Sequence, residues 1–395
     1  MTEQPADAAP AADAVAADAA NRPTATIRRR RVWILTTVGV LLLALLGGGA
    51  IAVNAAQSRY TPQSANLFGD ASPSPSNAPS ARPATVTVTG QQLRGPLNFL
   101  IVGIDPRVSV PNWRPHADAV LLMHVPAAHD QAYLYSLPRD LIVNIPAFKK
   151  ANFPGERTKL THAMSYGSVV PGKAKPDRAQ GFELLAATVT KHTGISFNAG
   201  AVIDFPGFTA LVDALGGVDM KVDRKVVSIH RKPNGEHRRP GASSTGYLGP
   251  QMVYQPGVRR FTGWQALDYS RQRYLTGGDY TRQKHQQQLI RAILTKVAQT
   301  NAHTDPAKLD KVLTALRDSL TFDGRGQAVT DFAFTLRNVS PAKITLVSLP
   351  GAGVGVGSAY RGESLKPVGA QFLAAVRGGT VAPFLVKNPK LAHSR

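Results

Sequence analysis

Residues 96–380 are predicted to fold as one three-layer α/β/α domain with a mixed central sheet, preceded by a single transmembrane helix. Three observations carry this. Short apolar runs recur, each closed by a polar or charged residue; amphipathic helical patterns are interleaved with them; and a run of four arginines precedes a long uncharged stretch near the N-terminus.

The chain begins with residues 1–27, rich in Ala, Pro, Thr and Asp and without an apolar period, so residues 1–31 are expected to form a disordered, basic tail ending in Arg28–Arg31. Residues 32–53 carry no charge, and at about 1.5 Å per residue they are long enough to cross a hydrocarbon layer of roughly 30 Å. The apolar run exceeds that of a cleaved leader, which makes it an uncleaved signal-anchor. With the arginines held inside, the chain reads as a single-pass type II protein of the cell membrane whose C-terminal part lies outside. Residues 54–95 contain ASPSPSNAPSARP and are expected to be a Ser/Pro-rich spacer with no packing face.

Leu97–Asp105, Ala119–Val125 and Ala132–Leu137 read as buried strands. If the second runs antiparallel to the other two, Asp105, His116, Asp118, Arg139 and Asp140 meet on one edge of the sheet. Helical patterns follow over 177–193, 206–215, from Arg282 onward, over 306–320 and over 327–339, with a late strand at Lys343–Leu349. Residues 231–260, rich in Gly, Pro and basic residues, read as a long exposed loop, Gly351–Gly357 as a flexible loop, and 381–395 as a tail.

In the helix beginning at Arg282, Leu289, Ile290, Ile293, Leu294 and Val297 form a buried face. Counting back in steps of three and four puts Gln286 and Arg282 on that same side. A buried guanidinium needs a partner, and the helix start with its free amides and dipole favours an anion. A local pair with Asp279 is the alternative.

The whole chain has 46 Lys and Arg against 25 Asp and Glu; beyond Gly95 the balance is 38 against 20, or +18. Such a surface attracts polyanions. Outside a cell these are lipid headgroups and phosphate-bearing wall polymers rather than nucleic acid. Cysteine is absent, which excludes disulfides and Cys-ligated metal sites. No HExxH, GxSxG or GK[ST] spacing occurs.

The ordered series NFLIVGID, HADAV, SLPRD, KLTHAMSYG, DFPGFTALVDALGGVD, ALDYSRQR and GGDYTRQKHQQQ resembles the LytR-CpsA-Psr (LCP) family of membrane-anchored cell-wall glycopolymer transferases. The resemblance implies an LCP-like fold and an Mg-dependent enzyme that moves a glycopolymer from a polyprenyl-pyrophosphate donor onto a peptidoglycan hydroxyl. By the same resemblance Asp105 and Asp118 would hold Mg2+ (or Mn2+), while Arg139, Lys159, Arg271, Arg273, Arg282 and Gln286 would grip the pyrophosphate. Asp105, Arg139, Asp279 and Arg282 would carry catalysis, with Asp105 or Asp279 taking the hydroxyl proton. Phe205, Phe208, Leu211, Val212 and Leu215 would line the lipid tail, or else be ordinary core. In place of the arginine that the family commonly has two residues before the second aspartate, this chain has His116. The same residues would serve a polyprenyl-pyrophosphate hydrolase, and the charge alone would serve a non-catalytic wall-binding regulator.

The chemistry asks for such groups independently. Phosphoryl transfer is catalysed by alignment and charge neutralisation, arginine matches two phosphate oxygens at once, and Mg2+ takes hard oxygen ligands.

Overall fold

The computed structural model describes residues 66–69, 91–107, 110, 112–300, 311, 314, 315, 319–327 and 329–393. The basic tail, the expected span at 32–53 and most of the helix expected over 306–320 lie outside these residues. Among the described residues no helix is long and apolar enough to cross a membrane.

The three apolar runs form β1 (Leu97–Ile104), β2 (Ala117–Val125) and β3 (Ala132–Leu137). β2 is antiparallel to both neighbours, so the end of β1, the start of β2 and the end of β3 share one sheet edge. Pairing slips at that edge: Gly103 faces Ala119 and Ile104 faces Ala117, leaving Asp118 outside the ladder. A bulge of this kind re-aims one side chain. β3 leads into a hairpin of β4 (Ile142–Ile145) and β5 (Glu156–Lys159), then α1 (Thr161–Gly167) and α2 (Arg178–Thr193). Asp177 caps α2 by accepting from Gln180 N at 3.0 Å, and Gly194 closes it in the left-handed conformation.

Next comes β6 (Ala199–Asp204), a wholly buried strand parallel to β1 that sequence reading misses. Its small residues are poor strand formers, but they leave room for aromatic rings: a Cβ on Gly200 would lie 2.6 Å from Phe182. α3 (Phe205–Ala214) follows, with Asp204 as its N-cap and Pro206 in its first turn, and then β7 (Val218–Val222).

The segment expected as an exposed loop is instead a ribbon. It holds the short ladders β8 (Val226–Val227) with β11 (Val253–Tyr254) and β9 (Arg239–Pro240) with β10 (Tyr247–Leu248), and then β12 (Gly257–Phe261), which pairs with β7. Arg238 organises it: the guanidinium is buried and donates to the carbonyls of Ile229, Tyr247 and Gly249, a pattern that no hydropathy period reveals.

α4 (Gly263–Arg271) and α5 (Gly278–Gln299) come next. α5 begins one turn before Arg282, because Gly277 and Gly278 adopt φ of 94° and 52° and turn the chain sharply into the helix. β13 (Leu320–Asp323), α6 (Val329–Leu336) and β14 (Ile344–Val347) continue the chain. The Gly351–Gly357 segment contributes β15 (Gly351–Val354), paired with β16 (Gly362–Leu365), where a loop is expected. α7 (Pro367–Arg377), α8 (Val381–Lys387) and β17 (Ala392–His393) complete the domain, so residues 381–393 are built into the fold rather than trailing as a tail. Val381, Leu385 and Leu391 are core residues.

The main sheet runs β13-β6-β1-β2-β3-β14-β17 and is mixed. Alternate residues of β1 enter two cores. Leu97 and Phe99 pack with α3, α4, α5 and α6, whereas Leu100, Val102 and Ile104 pack with α1, α2, α7 and α8. The spacer expectation also needs correction at one place: Leu67 and Phe68 are buried, and their amides donate to Asp323 Oδ2 at 2.7 and 3.3 Å.

Candidate active site

The sheet edge that carries Asp105, Asp118 and Arg139 is also where three other parts of the chain meet. Three backbone hydrogen bonds clamp the turn after β3: Thr161 N donates to Arg139 O, Leu160 N to Leu141 O and Glu363 N to Asp140 O, each at 2.8 Å. The start of α1, the end of β5 and the start of β16 are thereby fixed beside Arg139.

Asp118 pairs with Arg139. Asp140, almost wholly buried, gathers three cations: Arg139 Nε and Lys159 Nζ at 3.8 Å and Arg273 Nη2 at 3.6 Å. Asp105 Oδ2 accepts from Arg271 Nη2 at 2.8 Å, and the Arg271 guanidinium lies 4.4 Å above the ring of Phe205. Arg282 Nη2 is 2.6 Å from Asp279 Oδ1, while Asp279 Oδ2 accepts from Gln283 Nε2 at 2.9 Å. Arg282 approaches Arg139 and Arg273. Its burial, and next to that these two like charges, pull the guanidinium down to about 10, with Asp279 and Asp118 acting in the opposite sense.

These groups are graded in exposure. Side-chain exposure rises from 5% at Arg282 through 21% at Arg139 and 27% at Lys159 to 38% at Arg271 and 41% at Arg273. Five cations face four aspartates. Some of the donors stay unused: Arg139 Nε and Arg282 Nε are buried without a hydrogen-bond partner, as are Thr161 Oγ1 and Asp279 Oδ1, whose close approach to Arg282 is a charge contact rather than an aligned hydrogen bond. Buried polar atoms are normally satisfied, so the two orphaned guanidinium Nε–H groups suit a ligand that supplies acceptors.

Of the residues singled out from sequence, Asp105, Asp118, Arg139, Lys159, Arg271, Arg273, Asp279 and Arg282 come together here. Gln286, one turn beyond Arg282, is half-buried and its side chain makes no hydrogen bond among the described residues. Phe205, Phe208, Leu211, Val212 and Leu215 all sit in the core on the α3 side of the sheet, and Phe205 alone of these touches the cation cluster. Asp140 was placed on this edge but given no role, and Thr161, Tyr280, Tyr360 and Glu363 were missed as site members. Glu363 accepts from Tyr280 Oη and Tyr360 Oη at 2.9 Å each, and the Tyr360 ring lies 5.1 Å from Lys159 Nζ. Burial, reinforced by Glu363, raises both phenols above their usual range. Only Asp140 offered a signal, through its place beside Arg139 in SLPRD. His116 turns its Nδ1 to Arg114 O at 3.1 Å, and burial lowers its pKa.

The LytR_cpsA_psr family profile matches residues 65–370. The chain belongs to this family. It is 26% identical over 289 residues to a Bacillus cereus protein named polyisoprenyl-teichoic acid–peptidoglycan teichoic acid transferase TagU, covering 73% of this chain and 77% of that one. It is 25% identical over 260 residues to the Corynebacterium glutamicum cell wall biosynthesis protein LcpA, covering 63% of this chain and 46% of that one. Its fold is similar to that of protein gbs0355 from Streptococcus agalactiae, with a TM-score of 0.56 at 21% identity, covering 72% of this chain and 88% of the other. It is also similar to B. subtilis TagV, with a TM-score of 0.52 at 18% identity, covering 73% and 98%. The sheet edge with its crowded cations lies inside the residues that the family profile matches.

Proposed function

We propose that this protein is a phosphotransferase that moves a glycopolymer from a polyprenyl-pyrophosphate carrier onto a peptidoglycan hydroxyl during wall assembly, working outside the membrane to which residues 32–53 anchor it. The observation that carries this reading is the pair of buried Nε donors on Arg139 and Arg282, without hydrogen-bond partners amid five cations. The names of the TagU and LcpA relatives point the same way.

In this reading Arg139, Arg273 and Arg282 grip the pyrophosphate oxygens, with Lys159 and Arg271 at the mouth and Gln286 one turn along α5. The acceptor oxygen forms a bond to the phosphorus bearing the glycopolymer, the bond from that phosphorus to the bridging oxygen breaks, and polyprenyl phosphate leaves. Asp105 receives the hydroxyl proton. Each carboxylate pairs with an arginine, Asp105 with Arg271 and Asp279 with Arg282, but the Asp105 side chain is 26% exposed against 8% at Asp279 and is the one an acceptor can reach. Phe205, stacked under the Arg271 guanidinium, would meet the first part of the polyprenyl chain, while Phe208, Leu211, Val212 and Leu215 are core residues behind it.

Mg2+ or Mn2+ fits the carboxylate pair Asp105 and Asp118. Both are hard oxygen donors on adjacent strands at one edge, and the bulge frees Asp118 from the ladder. Among the described residues no cluster of three His, Cys, Asp or Glu is arranged to hold a metal, so phosphate oxygens and water would complete the shell. The ion would neutralise charge on the pyrophosphate.

The test is a radiolabelled lipid-pyrophosphate donor incubated with the full chain, with and without peptidoglycan and with and without a chelator. Label on the wall supports the transfer, and its loss with the chelator supports the metal. Release of label at one rate regardless of acceptor would instead mark a hydrolase.

A further inference from the structure

A second basic cavity lies on the same sheet edge. β14 runs parallel to β3, so its C-terminal end, Ser348–Pro350, emerges beside the turn that carries Arg139. There a cavity of about 770 Å3 opens between that strand end, the first turns of α5 and the segment after α8. Four lysines line it, Lys284, Lys366, Lys387 and Lys390, and its walls hold no Asp or Glu. Lys366, Lys387 and Lys390 form no ion pair among the described residues, and Lys284 reaches Asp223 only at 3.9 Å. Leu349, Pro350, Val368 and Leu391 give the lining apolar surface, and Thr281 and Asn388 add hydrogen-bonding groups. Tyr280 is the wall shared with the catalytic cleft: it lines this cavity while its hydroxyl donates to Glu363.

We propose that this lysine groove binds the glycopolymer strand of the donor, as a chain of sugar or polyol units linked by phosphodiesters; the inference rests on the transferase reading above. The two sites differ in cation, and the difference matches two tasks. Planar arginine forks hold one phosphate group in fixed geometry, whereas lysines are compact charges on flexible stems that follow a repeating anion without fixing its register. Apolar surface and hydrogen-bonding groups suit the faces and hydroxyls of sugar or polyol units. A peptide-bearing acceptor glycan presents amines beside its carboxylates and would call for acidic groups in the wall, which the groove lacks.

The test uses the full chain in detergent micelles and a fluorescent poly(glycerol phosphate) oligomer that carries no lipid. Its binding is compared with that of a neutral glycan of equal length and of soluble peptidoglycan fragments. The wild type should bind the phosphodiester oligomer alone, and the triple variant K366E/K387E/K390E should weaken it about tenfold or more, with salt acting in the same direction. The milder K366Q/K387Q/K390Q variant should give an intermediate loss with an unchanged unfolding midpoint, which separates charge from folding. Both variants should still cleave a lipid-pyrophosphate donor that bears a single sugar at the wild-type rate. Equal binding by wild type and charge-reversal variant overturns the groove, as does equal binding of the neutral glycan or preference for peptidoglycan fragments. If the oligomer binds as expected but no label ever reaches the wall, the transferase reading fails and the groove stands.

Discussion

Arg282 and Asp279 sit one helical turn apart on α5, with Nη2 2.6 Å from Oδ1, and both are nearly sealed from solvent. This pair reconciles two readings that the sequence leaves as rivals, a guanidinium aimed at an anion and a guanidinium held by its neighbour. Asp279 neutralises Arg282 through Nη2, and Arg282 Nε has no hydrogen-bond partner.

Removing one member of that pair strands the other. Asp279→Asn is expected to destabilise the fold by about 3 kcal/mol, and adding Arg282→Met should recover most of the loss. Urea unfolding of the two single variants and the double variant measures the coupling; simple additivity would refute it.

Arg139 is clamped through its own carbonyl by Thr161 N, so its replacement should spare the fold and remove the chemistry. Arg139→Ala is expected to lower the transfer rate about 100-fold, and Arg139→Lys should not rescue it, because a single point charge cannot replace a fork. Initial rates with labelled donor decide this, and an alanine variant within a few-fold of wild type would sink it.

Thr161 Oγ1 is buried without a partner, a liability to the fold unless the ligand uses it. Thr161→Val should leave stability unchanged or raise it by up to about 1 kcal/mol, while donor affinity falls about fivefold. Paired thermal-unfolding and donor-binding measurements test the trade. Loss of stability with unchanged affinity contradicts it.

Acid should weaken the domain through two buried histidines. Burial pulls His124 and His285 each down to about 4, with Lys284 and Arg224 adding to the effect at His285 and Asp223 opposing it. The unfolded chain takes up these protons near pH 6.5 and the folded chain only near 4, so stability is full above 6.5 and is lost as pH falls towards 4. Each histidine should contribute a loss on the order of 2 kcal/mol between pH 7 and pH 5. In urea unfolding at those two pH values His285→Gln should reduce the difference by about that amount; an undiminished difference would assign the acid sensitivity elsewhere.

What the sequence could show follows from period and adjacency. β1, β2 and β3 were legible because each is an unbroken apolar run, and the apolar face of α5 because Leu289, Ile290, Ile293 and Leu294 repeat with the helix. β6 was not, since Ala199 and Gly200 look like loop residues until Phe182 and Phe68 are seen against them. The tail beyond 380 and the ribbon around Arg238 were misread for a related reason: short elements held by long-range contacts leave no period of their own.

The sequence alone determined that acidic and basic residues end three neighbouring strands and open one helix, and its ordered motifs matched a family. Tertiary structure decided which of them touch. It took a bulge to turn Asp118 towards Arg139, a buried Asp140 to gather three cations, and the end of β14 to open a lysine groove beside the cleft. Spacing along a strand or helix fixes only local neighbours. Residues as far apart as Asp105 and Arg271 meet because two cores bury both faces of one sheet and force its ends, and the loops that carry charge, onto a common edge.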